Sequence, residues 1–168
     1  MRLDQAGFAA LLARLGSCAS EGDADGFAAC FTPDATYDDY IYGPHQGRTA
    51  IIDMLQNLFW RDAGDYDWRF FDPVTNGEWG YARSLSTFVS KIPAYQCKRV
   101  LIDGISRFRL SHGLIAYYGE SVNAGVAMVQ LGVEPARMEK RFRRWADELN
   151  GRAESRDYVS AARARFAR

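Results

Sequence analysis

A chain of 168 residues with 48% apolar and 25% charged side chains is long enough to bury a core as one domain and too apolar to stay disordered. No apolar run approaches the roughly 18–20 residues of a membrane span, which excludes a transmembrane helix. The formal net charge is zero but uneven: from Arg137 onward ten Lys/Arg face five Asp/Glu, so residues 137–168 carry +5 and residues 1–136 carry −5.

Taken in chain order, residues 3 to 16 place Leu3, Phe8, Leu11, Leu12 and Leu15 at helical spacing. The same segment carries Asp4 and Arg14, which suits an amphipathic helix and not a signal peptide. "SEGDADG" reads as a turn, with Asp23 or Asp25 available to cap a short second helix, "DGFAACF", that Pro33-Asp34 ends. "ATYDDYIY" is rich in aromatic and β-branched residues and reads as a strand, followed by a "GPHQG" loop. "RTAIIDMLQNLFW" predicts a third helix burying Ile51, Met54, Leu55, Leu58 and Phe59.

Beyond that helix the period changes to two. "DYDWRFFDPVT", "EWGYARSLSTFVSK", "YQCKRVLIDGISRFRLS" and "GLIAYYGESVN" are separated by Gly, Pro, Asn or Ser-His-Gly punctuation, which predicts consecutive strands of an antiparallel sheet. From about Pro135 the helical period returns through Met138, Phe142, Trp145 and Leu149. Asn150-Gly151 ends that helix, and the last residues form one more short helix or a frayed tail. Helices followed by a run of strands and a final helix give an α+β class, with helices on one face of a curved sheet and a pocket open at one end.

Acidic residues interrupt the basic C-terminal segment, which favours a solvated amphipathic helix over a nucleic-acid or membrane surface. Cys18, Cys30 and Cys97 are odd in number and scattered, which argues against a disulfide framework and makes a reducing cytoplasm the default location. No Cys/His spacing resembles a zinc site. The two histidines, His45 and His112, lie beside Pro or Gly in expected loops and give a nucleophilic cysteine no support.

The stretch "EGDADGFAACFTPDATYDD…GPHQGRTAI" resembles the opening of the NTF2-like (SnoaL-like) superfamily, whose members include ketosteroid isomerase, limonene epoxide hydrolase, scytalone dehydratase and polyketide cyclases. "RFRLSHGLIAYYGESVN" is similar to the family's closing hairpin, and "AMVQLGVEP" to the tail of many members. The likeness spans roughly residues 5 to 135. It implies a cone: a curved, mostly antiparallel sheet wrapped by N-terminal helices, here with an extra C-terminal helix. The expected organisation is a domain over 1–135 and a helical extension of that domain over 136–168. The resemblance also implies a homodimer through the outer sheet face. No cofactor, metal, nucleic acid or membrane is expected.

Site residues follow from the resemblance position by position. The ketosteroid isomerase pattern puts Asp39 at the general-base carboxylate, while that family's Tyr and Asp donors fall at Leu15 and near Ser106 and are missing. The limonene epoxide hydrolase pattern is matched by Tyr37, Asp39, Arg83 and Glu120, but the Asp of its Arg-x-Asp pair falls on Leu85. Strand parity puts Tyr37 and Asp39 on one face and Thr36, Asp38 and Tyr40 on the other. Arg83 shares a side with Leu85, Thr87 and Val89, which suggests a carboxylate partner, Asp39 or Glu120. Arg107 and Arg109 are expected to face outward. The candidate pocket wall comprises His45, Trp60, Trp68, Phe70, Ser106 and Tyr118, with Trp79 and Phe88 as further aromatics.

These residues point to an acid/base enzyme acting on a small hydrophobic molecule, by isomerisation, cyclisation, dehydration or hydrolysis. Asp39 is the expected base or water activator, Tyr37 a hydrogen-bond donor, and Arg83 with Glu120 the groups that set charge and orient water or a substrate oxygen. The competing reading is a non-catalytic ligand-binding or assembly domain. A protein-partner module using the basic helix near 137–168 is a third.

Overall fold

A computed structural model of the chain describes residues 2–166. It divides into two compact units, one up to Leu131 and one from Gly132 onward, so the expected boundary at 135 lies inside the second. Among the described residues no helix is long and apolar enough to cross a membrane.

The first unit opens with α1 (Gln5–Glu21), capped by Asp4, whose Oδ1 accepts from Gly7 N at 2.8 Å. Gly22, at φ 74°, closes it in the left-handed conformation that glycine adopts without steric cost. Phe8, Leu12 and Leu15 of α1 are all at most 1% exposed and form the core face. Next comes α2 (Ala24–Ala28), capped by Asp23.

The chain then enters β1 (Phe31–Asp39) earlier than the sequence suggests. Pro33-Asp34 does not end a helix. It sits where the ladder shifts register between Phe31 and Thr36, an irregularity in which a residue without an N–H is tolerated. "GPHQ" is not a loop but the edge strand β2 (Gly43–Gln46), antiparallel to β1 with Tyr37 opposite His45. Pro44 fits there because an edge strand needs no second ladder.

The expected third helix is α3 (Arg48–Met54). It widens into a π-turn over Leu55–Phe59 and ends as α4 (Trp60–Asp62). Four long strands follow: β3 (Ala63–Thr75), β4 (Trp79–Ser90), β5 (Arg99–Ser111) and β6 (Leu114–Val122). The sheet order is β2-β1-β6-β5-β4-β3, and every pairing is antiparallel except β1 with β6. Register shifts in β3 and between Arg109 and Leu110 bend the sheet, as bulges do. This is the expected α+β architecture, a curved sheet wrapped by helices, and α1 lies against β3. A short helix absent from the sequence reading, α5 (Ala124–Leu131), packs on β5, where Gln130 bonds both backbone groups of Leu101.

The second unit holds α6 (Pro135–Gly151) and α7 (Ala153–Phe166). Arg152 is extended (ψ 139°) and separates them. The i,i+4 ion pairs Arg143–Glu139 and Arg144–Glu148 line α6.

One close approach fixes α1 on the sheet. A Cβ at Gly16 would stand 2.4 Å from the backbone oxygen of Trp68. Gly16→Ala is expected to destabilise the first unit by about 1–3 kcal/mol through overpacking, even though alanine is the better helix former. Urea denaturation of the variant measures this; unchanged or increased stability contradicts the account.

Candidate functional site

The site begins at the one parallel pairing. Tyr37 of β1 stands opposite Tyr118 of β6, and Asp38 opposite Gly119. Side chains alternate along both strands, so Asp39 and Glu120 are the next inward-facing neighbours. The tyrosine rings below them are stacked, with centroids 4.3 Å apart and planes 22° apart, and both residues are at most 1% exposed. Tyr118 Oη donates to Glu120 Oε2 at 2.6 Å and lies 3.3 Å from Ser106 Oγ.

Above this platform opens a cavity of about 190 Å³. That exceeds the ~150 Å³ apolar cavity known to hold benzene. Tyr42, Phe59, Tyr66, Trp68, Phe88, Ile102 and Val122 form much of its wall, and Tyr37, Asp39, Asp62 and Glu120 contribute polar groups. Phe59 is delivered by the π-turn, a distortion that recurs at functional sites. At one edge Tyr42 Oη donates to Asp62 Oδ2 at 3.0 Å. Among the described residues no cluster of three His, Cys, Asp or Glu is placed to hold a metal ion.

Two neighbouring carboxyls in an apolar cavity cannot both ionise cheaply. Burial raises the pKa of each. For Asp39 the rise is opposed by the backbone N–H groups of Tyr42 and Ile41, both 2.7 Å from Oδ1, and by His45. Its Oδ2 accepts no hydrogen bond among the described residues. Glu120 is pushed up to about 7 by burial first and by the Asp39 charge second, against the opposing Tyr118 bond. The environments therefore differ: two backbone N–H groups favour the ionised form of Asp39, while burial beside that charge favours the protonated form of Glu120.

The structure brings Tyr37, Asp39, Glu120 and Trp68 together on the cavity. Arg83 is not with them. It is on the outer face of the sheet, ion-paired with Asp72 at 3.7 Å and stacked 4.3 Å over Phe71, with its side chain 48% exposed. Parity was sound, but the more apolar row of β4, which includes Leu85 and Val89, faces outward. The other expected wall residues divide. Tyr118 and Ser106 lie beneath the wall as the support of Glu120. Phe70 packs into the core between Trp68 and Phe108. Trp60 turns away to cover Gly22 and donates its indole N–H to Ala19 O. His45 is on β2 beside the site instead of in a mouth loop, and its buried Nε2 has no partner among the described residues. Of the further aromatics, Phe88 lines the cavity while Trp79 lies under the Arg107 guanidinium. The sequence reading missed Tyr42, Asp62, Tyr66, Ser84 and Ser86. For the serines, the signal available was their shared parity with Ala82 and Phe88.

The SnoaL-like domain family matches residues 10–118. A search of the curated proteins found no match. Among solved structures, TsrD from Streptomyces laurentii is 20% identical with a TM-score of 0.68, covering 79% of this chain and 99% of that one. An LEH-like epoxide hydrolase of M. tuberculosis is 12% identical with a TM-score of 0.62, covering 75% and 90%. A candidate polyketide cyclase of Xanthomonas campestris is 19% identical with a TM-score of 0.63, covering 76% and 98%. At these identities the likeness establishes the fold.

Two outcomes follow from the electrostatics. The Tyr118 bond favours ionised Glu120, so Tyr118→Phe is expected to move the Glu120 titration above about 7, read by ¹³C NMR of the carboxyl carbon. An unmoved titration contradicts the assigned bond. The folded chain also keeps the Glu120 proton up to about 7, whereas the unfolded chain releases it near the ordinary 4.5. The folded state therefore binds the extra proton in that window, and the contribution of Glu120 to stability is lost as pH rises through it. Glu120→Gln cannot ionise, so it is expected to gain on the wild type between pH 5 and pH 8 in urea denaturation. A constant difference between the two pH values contradicts the coupling.

Proposed function

The chain belongs to the SnoaL-like domain family, and on that premise we propose that it is an acid/base enzyme moving a proton on a small, largely apolar carbonyl compound. The observation that carries this is Asp39 and Glu120 side by side on one apolar cavity, Asp39 held by two backbone N–H groups and Glu120 by the Tyr118 hydroxyl. Asp39 takes a proton from carbon next to the carbonyl, and Glu120 gives its proton to the carbonyl oxygen as negative charge develops there. Asp39 then returns its proton to another carbon of the enol system as the enol O–H gives its proton back to Glu120, which completes an isomerisation. In a cyclisation the enol carbon attacks a second carbonyl, whose oxygen takes the proton from Asp39 while the enol O–H returns its own to Glu120. Tyr37 and Tyr118 hold the platform, and the aromatic wall excludes water. Hydrolysis through a positioned arginine is disfavoured, because Arg83 lies on the outer face.

Proton transfer needs Asp39 ionised and Glu120 protonated, so the rate is expected to fall as pH rises through about 7. The test is deuterium exchange at the α-carbons of small cyclic ketones in D₂O, followed by NMR. Asp39→Asn keeps an oxygen to accept from the Ile41 and Tyr42 N–H groups, so it preserves the turn, and is expected to slow exchange by about 10²–10⁴-fold. Exchange that proceeds equally fast in Asp39→Asn removes the proposed base.

One observation supports a second reading. Asp39 Oδ1 is fully engaged by two backbone N–H groups, which suits a structural carboxylate in a non-catalytic binding pocket. Insensitivity to Asp39→Asn, with ligand binding retained, is its signature. A homodimer through the outer face is a separate proposal, supported by the exposed row Val74, Tyr81, Leu101 and Ile105. Ile105→Asp is expected to convert a dimer to a monomer in light scattering; a wild type already monomeric at high concentration counts against it.

A further inference from the structure

We infer that Ser84 and Ser86 form an oxygen-binding subsite on the cavity wall remote from the acid pair, so that the ligand is a ring-sized apolar molecule carrying a hydroxyl or carbonyl at its far end. This rests on the reading of the cavity as the substrate site and adds the substrate's second recognition point.

Most hydroxyls around the cavity and on its strands already have partners. Ser106 Oγ pairs with Tyr118, Ser90 Oγ accepts from Ile92 N at 3.2 Å, and Thr87 Oγ1 donates to Val100 O at 2.8 Å on the opposite face. Ser84 and Ser86 are the exception among the hydroxyls that line the cavity. Both line the cavity, and among the described residues neither side chain makes a hydrogen bond. Ser84 is only 4% exposed. Both hydroxyls are open to the cavity and take no protein partner, so an oxygen of a bound molecule can meet them there.

Their placement is set by the ladder. The residues i and i+2 on β4 point the same way, so the two hydroxyls form one row. Ser84 stands opposite Gly104 on β5, which has no side chain to cover it, and Gly104 stands opposite Val122. Ser86 stands between Trp68 and Ile102. Glu120 lies two strands away on β6, about 10 Å along the sheet at ~4.8 Å per strand. A hydroxyl both donates and accepts, so the row suits a carbonyl or an alcohol and gives a hydrocarbon nothing. The apolar wall between the rows fixes the separation of the ligand's two polar ends.

The test compares 1-indanone with indane, which differ by one carbonyl oxygen, using Kd values from equilibrium dialysis. The wild type is expected to favour 1-indanone by about 3–10-fold. In Ser84→Ala/Ser86→Ala the ratio is expected to fall by about 3-fold or more, any remainder being the carbonyl contact with Glu120, while the indane Kd stays the same or tightens, which also shows that the cavity is intact. Each single variant is expected to lose part of the preference, and this serves if the double variant folds poorly. The inference is overturned if the ratio is unchanged in the variants, if the wild type shows no preference, or if it binds neither probe. The acid/base reading fails on a different measurement, since it requires deuterium exchange to depend on Asp39. Loss of that dependence with the serine preference intact identifies a binding pocket, and the reverse identifies an enzyme without this subsite.

Discussion

The parallel contact between β1 and β6 is the constraint on which the site depends. In a sheet otherwise antiparallel, it joins the strand that follows the second helix to the last strand of the chain. It sets Tyr37 on Tyr118 and, one inward step further, Asp39 beside Glu120. Two carboxyls at that spacing in an apolar wall are a standing cost to the fold. The main chain answers for one, since the turn after β1 turns two N–H groups onto Asp39. Tyr118 and a retained proton answer for the other.

Around this contact the rest of the unit has a supporting role. The α1 face built from Phe8, Leu12 and Leu15 fills the concave side of the sheet at one end. The π-turn and the start of β3 leave the other end open and line it with aromatic rings. The core and the cavity are thus continuous. Trp68 illustrates the continuity: its backbone oxygen meets Gly16 of α1, and its side chain faces the cavity.

Much of this was legible from the sequence, and the failures have identifiable causes. Period-two alternation put Tyr37 and Asp39 on one face and Asp38 on the other, since parity within one strand is a local property, and the family resemblance said which face lines the pocket. Family resemblance supplied Glu120, which no local pattern singles out, because strand pairing between residues 80 apart leaves no trace in either strand alone. Arg83 was misplaced because β4 inverts the usual rule: Tyr81, Leu85 and Val89 face outward, while Ala82, Ser84 and Ser86 face the interior. A strand whose inner row is small and hydroxylated leaves room for something else. Gly43–Gln46 was read as loop because Gly, Pro, His and Gln are poor strand formers, and the ladder with β1 supplies what propensity does not.

The turn that pins Asp39 also has a stereochemical consequence. A carboxylate tethered through one oxygen to consecutive backbone amides cannot swing about its Cβ–Cγ bond, so its remaining oxygen approaches a bound molecule from a single direction. A flat molecule lying against the aromatic wall presents one prochiral face to that oxygen. The handedness of any carbon centre made there is then inherited from the backbone conformation of residues 39–42.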